Sequence, residues 1–110
     1  MIYGIQKPEE YDLATIIIQW SIKEVIYGLN EEPTHHLVGY VMSEGAGRTT
    51  SAIQSFDKEK MMITTSSGRI YKLQDKPGNN NDADYVWDFW KSHNNAKNEK
   101  DVTSQYWIKT

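Results

Sequence analysis

Three histidines, His35, His36 and His93, are the side chains best suited to acid–base chemistry in this chain. Two histidines and a lysine can act as acid and base in phosphodiester cleavage, because an imidazole titrates near neutral pH. His35 and His36 are adjacent, so on a strand they point to opposite faces and do not easily share a metal ion. Histidines at strand edges and helix ends are also ordinary surface residues. A small nuclease or hydrolase that uses His35 or His36 with His93 therefore stays as the alternative interpretation.

Other patterns typical of catalytic sites are incomplete. The segment 45–50, GAGRTT, resembles a phosphate-binding glycine loop, but it lacks the earlier glycine, has Arg48 in place of lysine and precedes a predicted strand. A hairpin turn explains it better. The chain has no cysteine and no Gly-x-Ser-x-Gly motif, which excludes disulfides, thiolate zinc sites and that serine-hydrolase signature. We therefore predict a protein that is not an enzyme and that uses no cofactor or metal ion.

Acidic and aromatic side chains form the other set of candidate site residues. The net charge is −3, and no basic footprint of a nucleic-acid-binding protein is visible. An acidic surface repels phosphate and attracts a basic protein, and an exposed aromatic ring among acids can be a binding hot spot. We predict a protein partner and neither nucleic acid nor membrane as partner. The candidate partner-binding residues are Glu31, Glu32, Glu44, Asp84, Trp87 and Asp88.

The first long apolar stretch, residues 14–28, fits two kinds of element. Its apolar residues match a helical stripe, whereas residues 16–22 also alternate as in a strand. Their β-branched content favours a strand over 14–22 with Trp20 in the core. Residues 23–29 extend that strand or form a helical turn.

The rest of the chain predicts a meander followed by a helix. Strands are predicted over 36–42, 49–56, 61–65 and 69–73, separated by short polar turns. Asn81 or Asp82 is expected to cap a helix over 83–93, and residues 94–101 are expected to be a polar loop. A last edge strand is predicted over 102–108 and a short helix near Pro8. The helix is expected to cover the sheet with Tyr85, Val86, Phe89 and Trp90.

These elements predict an α+β fold in a single domain over residues 1–110. We expect an antiparallel β-meander, or a small curled sheet or barrel, of about five strands packed by a C-terminal helix. The N-terminus has no signal-peptide pattern, and no apolar run approaches the 18 or so residues of a membrane span. A cytoplasmic location is therefore predicted.

Size, acidity and composition together resemble one class of bacterial proteins. The chain is small, acidic, free of cysteine, and rich in aromatic residues, asparagine and lysine. In these features it resembles immunity proteins, including those of contact-dependent growth inhibition systems. The resemblance implies a cytoplasmic protein that binds and inhibits a cognate toxin, commonly a basic nuclease. It implies no site residue and no fold.

Overall fold

The ambiguous residues after position 13 form a long strand. The computed structural model describes residues 14–29 and 32–107, in which β1 is Thr15–Ile26. The β-branched residues of this segment pack well on a pleated surface, so the strand prediction is confirmed and extends beyond residue 22. The helix predicted near Pro8 lies outside the described residues. The remaining elements are β2 (Thr34–Val41), β3 (Ala46–Asp57), β4 (Met62–Thr65), β5 (Ile70–Leu73), α1 (Asn81–Asn94), β6 (Lys97–Asp101) and a 3₁₀ helix (Thr103–Gln105).

Of the six strands in the described residues, five pair in a closed ring. β1 pairs with β2, β2 with β3, β3 with β4 and β4 with β5, all antiparallel, and β5 returns to β1. Five successive antiparallel strands place the fifth in the direction of the first, so the closing β5–β1 pair is parallel. The α+β fold with a curled sheet is confirmed. The purely antiparallel meander is corrected to a mixed sheet, which also includes β6 on the second half of β1.

An irregularity in β1 accompanies its change of partner. Residues 15–17 pair with β5, and the pairing with β2 shifts register between Ile18 and Ser21. Gln19 lies in this shift with a φ of 47°, and its amide oxygen accepts a 2.8 Å hydrogen bond from the Asn80 side chain. An extra residue of this kind bends a strand and increases its twist. β1 can therefore pair with both β2 and β5 and close the ring.

The main core lies between the facing sides of the five ring strands. Trp20 has no exposed surface, which confirms its predicted place in the core. Its indole N–H donates a 3.1 Å hydrogen bond to the carbonyl oxygen of Asp75, and Trp107 packs edge-on against its ring. The other buried members of this core are Ile17, Ile22, Leu37, Val41, Ile63, Tyr71, Leu73 and Val102.

The helix is capped earlier than predicted and packs through a different face. Asn80, not Asn81 or Asp82, is the N-cap, because its side-chain oxygen accepts the N–H of Ala83 at 3.0 Å. Ala83 and Trp87 are buried against Val25 and Val38 in a second, smaller core. The close approach of Ala83 to Gly47 sets this orientation, since a Cβ atom at Gly47 would lie 2.5 Å from the Ala83 nitrogen.

The C-terminal predictions are wrong in two places. The predicted loop 94–101 contains strand β6, which has only polar residues and is exposed throughout. It is held by backbone pairing with β1 and by a 3.0 Å ion pair between Lys23 and Asp101, so no apolar pattern marks it. The predicted strand 102–108 contains the 3₁₀ helix instead. Its first residue, Thr103, accepts the backbone N–H of Ile22 through its hydroxyl at 2.9 Å, and residue 108 lies outside the described range.

Candidate protein-binding surface

The six candidate partner-binding residues do not form one patch. Glu31 lies outside the described residues. Glu32 precedes β2 and Glu44 follows it, and an eight-residue strand spans about 23 Å. Glu44 forms an ion pair with Arg48, whose guanidinium also donates to the Tyr71 hydroxyl at 3.1 Å. The two turn acids are therefore at opposite ends of β2, and the helix residues must be considered separately.

Trp87 is buried and serves to position the helix. It is 3% exposed and stacks on Trp90, with ring centroids 5.4 Å apart. Its indole N–H donates to Glu99 of β6 at 3.0 Å, and Lys91 donates to the other carboxylate oxygen at 2.6 Å. Burial alone would raise the pKa of Glu99, but the hydrogen bonds from Lys91 and Trp87 hold that pKa below its ordinary value. Glu99 thus joins α1 to β6 as a carboxylate.

The exposed aromatic rings of α1 lie on its outward face. Tyr85 is 75% exposed and Phe89 is 65% exposed, and they are four residues apart, which places one above the other on the helix. His93 continues the row one turn later and stacks on Phe89, with ring centroids 6.0 Å apart. We call Tyr85, Phe89 and His93 the aromatic stripe. The sequence pattern assigned Tyr85 and Phe89 to the sheet-facing side, and that assignment is wrong.

Acidic side chains adjoin the aromatic stripe. Asp84 and Asp88 are each the residue before a stripe aromatic, and both are exposed. Asp88 also contacts Lys91, with 3.3 Å between the carboxylate oxygen and the ammonium nitrogen. This contact is exposed, and such pairs contribute little to stability. The helix surface therefore presents apolar rings next to carboxylates, but the rings are those of Tyr85 and Phe89, whereas the candidate from the sequence, Trp87, is buried.

Comparison of the chain with protein-family models, curated proteins and solved structures finds no match. The resemblance to immunity proteins stays a prediction. Within residues 14–29 and 32–107, no three acidic or histidine side chains come close enough together to hold a metal ion. In the same part of the chain, no helix has the length and apolar character needed to cross a membrane.

The adjacent histidines face opposite sides of β2, as expected. His35 lies between two partners: its Nε2 is 3.0 Å from a carboxylate oxygen of Glu24, and its Nδ1 is 2.6 Å from the hydroxyl of Tyr106. Burial and the nearby Glu24 carboxylate raise the pKa of Tyr106, so the phenol keeps its proton at neutral pH. The phenol can then donate to Nδ1 while Nε2–H donates to Glu24. This chain of hydrogen bonds ties the segment after the 3₁₀ helix to the ring, and it is also an arrangement in which an imidazole can act as a base.

Proposed function

We propose that this chain is a non-enzymatic protein-binding module, and specifically a cytoplasmic immunity protein that binds and inhibits a basic, nuclease-type toxin. The observation that carries the proposal is the exposure of Tyr85 and Phe89 beside Asp84 and Asp88 on α1. Aromatic rings at the centre of an interface contribute much of its binding energy, because a partner excludes water from both faces of the contact.

The position of the rings supports a role outside the fold. The ring strands already bury their own core, and α1 is anchored to them by Ala83 and Trp87. Tyr85 and Phe89 are not needed for either core, yet they leave two large apolar surfaces in water. Each ring can gain from burial against a partner, since removing apolar surface from water stabilises a complex by about 25 cal/mol per Å². A binding partner is the simplest occupant of this face.

The charges on the helix favour a basic partner. Asp82, Asp84 and Asp88 contribute three negative charges, against one positive charge from Lys91. A partner that brings positive charge to this face is steered toward it before contact, which raises the association rate. A nuclease-type toxin, which must bind phosphate, has a surface of the required sign.

The proposal is tested by capturing binding partners from the host lysate with the tagged wild-type protein and with tagged variants. We expect the tagged wild-type protein to retain one basic protein, and we expect the double variant Tyr85→Ala/Phe89→Ala to lose it. Loss of two hot-spot side chains should together raise the dissociation constant about 100-fold or more. The variant Asp84→Asn/Asp88→Asn should bind more weakly and show a flatter dependence of the dissociation constant on salt.

Met42→Ala is the matched control, because Met42 is as exposed as Phe89 but lies in the turn after β2. It should bind like the wild-type protein. Co-expression of the captured partner with the wild-type chain should then restore growth that the partner alone prevents. A partner that the double variant retains at wild-type affinity would remove α1 from the interface, and one without toxicity would remove the immunity assignment.

A small hydrolase is the second candidate, and the contact of His35 with Glu24 is the observation that favours it. The binding proposal predicts that wild-type protein and His35→Ala leave labelled RNA equally intact in a cleavage assay. His93→Ala tests the other histidine of this alternative, which lies on the exposed side of α1. Cleavage that His35→Ala abolishes, with folding unchanged, would instead make the chain a nuclease with His35 as its base.

A further inference from the structure

His36 is fully buried where the helix meets the sheet. Its imidazole lies between Tyr27, the residue after β1, and the two indoles of α1. The imidazole centroid is 4.6 Å from that of Trp90, 6.3 Å from that of Trp87 and 5.6 Å from that of Tyr27. Trp90 in turn contacts Tyr27, with centroids 5.0 Å apart. The histidine is therefore the polar centre of an otherwise aromatic contact between α1 and the ring.

Hydrogen bonds fix the uncharged form of this imidazole. Nδ1 lies 2.8 Å from the carbonyl oxygen of Thr50, which can only accept, so Nδ1 carries the hydrogen. Nε2 lies 2.7 Å from the hydroxyl of Thr34, which can donate to it. Both nitrogens are thus satisfied in the neutral ring. A second proton on Nε2 would force the Thr34 hydroxyl to turn and would place a charge where water does not reach.

The charged groups around His36 do not offset such a charge. Lys23 is its cross-strand partner on β1 and is already paired with Asp101, and His35 is its neighbour on β2. From the other side, α1 contributes the indoles of Trp87 and Trp90, and β3 contributes the Thr50 carbonyl. Burial lowers the pKa of His36, the Thr50 bond partly opposes this, and His35 lowers it further.

We propose that His36 is a pH-sensitive latch: the neutral imidazole holds α1 on the ring, and its protonation in mild acid releases the helix while the ring stays folded. This latch is a property of the fold, so it does not depend on the identity of any binding partner. If α1 also carries the interface, release would remove the binding surface as well.

The helix can detach from the ring locally because the two have separate hydrophobic cores. The helix is attached through a small core of Val25, Val38, Ala83 and Trp87, with partly buried rings around it. The ring has its own larger core, to which no residue of α1 belongs among the described residues. Segments with few buried contacts open at a lower free energy than the whole molecule does. The helix is therefore the segment that protonation of His36 would open first.

The direction of the pH effect follows from the lowered pKa. In the released state the imidazole is in water and titrates near its ordinary pKa of about 6.5. Below that pH the released state takes up a proton that the docked state does not, so docking weakens as the pH falls. The weakening continues until the pH reaches the lower pKa of the docked state and then levels off. At pH 5 the opening constant should have risen by up to about 30-fold, the factor for 1.5 pH units.

Hydrogen exchange of the backbone amides tests the latch. Between pH 7 and pH 5, after correction for the intrinsic exchange rate, the amides of α1 should lose protection by up to about 30-fold, and the amides of β1 and β5 should keep theirs. His36→Gln should remove this pH dependence, because glutamine can still donate to Thr50 but does not titrate. His93→Gln, on the exposed face of the same helix, should leave it intact.

A measurement on the wild-type protein covers the case in which His36→Gln fails to fold. The carbon resonances of the His36 ring report its protonation directly, and they should change together with the α1 amides. Three results would each overturn the latch: equal loss of protection in α1 and the ring, pH dependence that persists in a folded His36→Gln variant, or protonation of His36 with α1 still fully protected.

Discussion

Replacing Trp20 by alanine is expected to lower the free energy of unfolding by about 3–5 kcal/mol, a large share of the roughly 5–15 kcal/mol that is typical of a folded domain. Trp20 has no exposed surface and touches the core residues contributed by several strands of the ring. Its removal leaves a cavity that the closed ring of strands cannot readily fill, because each strand is held on both sides by its neighbours. The carbonyl of Asp75 also loses its hydrogen bond from the indole.

Urea denaturation followed by far-ultraviolet circular dichroism measures this loss. Trp20→Phe is the graded control, since it keeps an aromatic ring but lacks the N–H, and it should destabilise less than alanine does. Trp90→Phe provides a comparison in the smaller core and should be milder again, because Trp90 is only partly buried. A Trp20→Ala protein that loses less than about 1 kcal/mol would contradict the placement of this indole in the main core.

Gly47→Ala is expected to displace the helix and to lower the free energy of unfolding by about 1–3 kcal/mol, the usual cost of overpacking. The new Cβ would lie 2.5 Å from the backbone nitrogen of Ala83 and 2.6 Å from its Cα. These are backbone atoms in the first turn of α1, so no side-chain rotation relieves the clash. The helix must move away from β3, and Trp87 must then give up some of its contact with Val25 and Val38.

The amide chemical shifts of Gly47→Ala and of a control variant, Gly78→Ala, distinguish a displacement of the helix from a general loss of structure. In Gly47→Ala the amides of α1 should shift strongly while those of β4 and β5 change little. Gly78→Ala is the matched control, because its Cβ would lie 3.6 Å from the nearest atom, Gln19 Cα, which is an ordinary contact. It should change the free energy of unfolding by less than about 1 kcal/mol. If the α1 amides of Gly47→Ala kept their wild-type chemical shifts, the close approach of α1 to Gly47 would be contradicted.

The sheet was largely predictable because its strands carry local signals. The β-branched run of β1 and the alternation of Tyr71 and Leu73 with Ile70 and Lys72 reflect burial on one side of a pleated strand. The parallel contact between β1 and β5 has no such signal, since it follows from closing a ring with five strands. β6 has none either, because a strand held by backbone pairing and ion pairs needs no apolar residue.

The candidate site was less predictable because a distant residue sets the face of the helix. α1 has apolar residues on more than one side, and nothing local decides whether Trp87 or Phe89 faces the sheet. The decision rests on Gly47, 36 positions before Ala83, where the absence of a side chain admits the helix backbone. The sequence correctly predicted Asp84 and Asp88 on the exposed side of the helix. It was wrong about the rings beside them, because Trp87 is buried and Tyr85 and Phe89 are exposed.

The three partners of β1 have a consequence for how the chain folds during synthesis. β1 meets β2 within a few residues, but Thr15 pairs with Tyr71, and Lys23 pairs with Asp101 near the far end of the chain. Contacts between such distant segments form slowly, in the range of milliseconds to seconds for β-rich domains. At a ribosomal rate of about 5–20 residues per second, β1 waits roughly 4–15 s for the 75 residues that separate Ile26 from Asp101. Its first residues can pair earlier, when β5 is complete, but until β5 and then β6 arrive β1 offers unpaired edges to other nascent chains, and a chaperone that covers β1 would protect the chain in this interval.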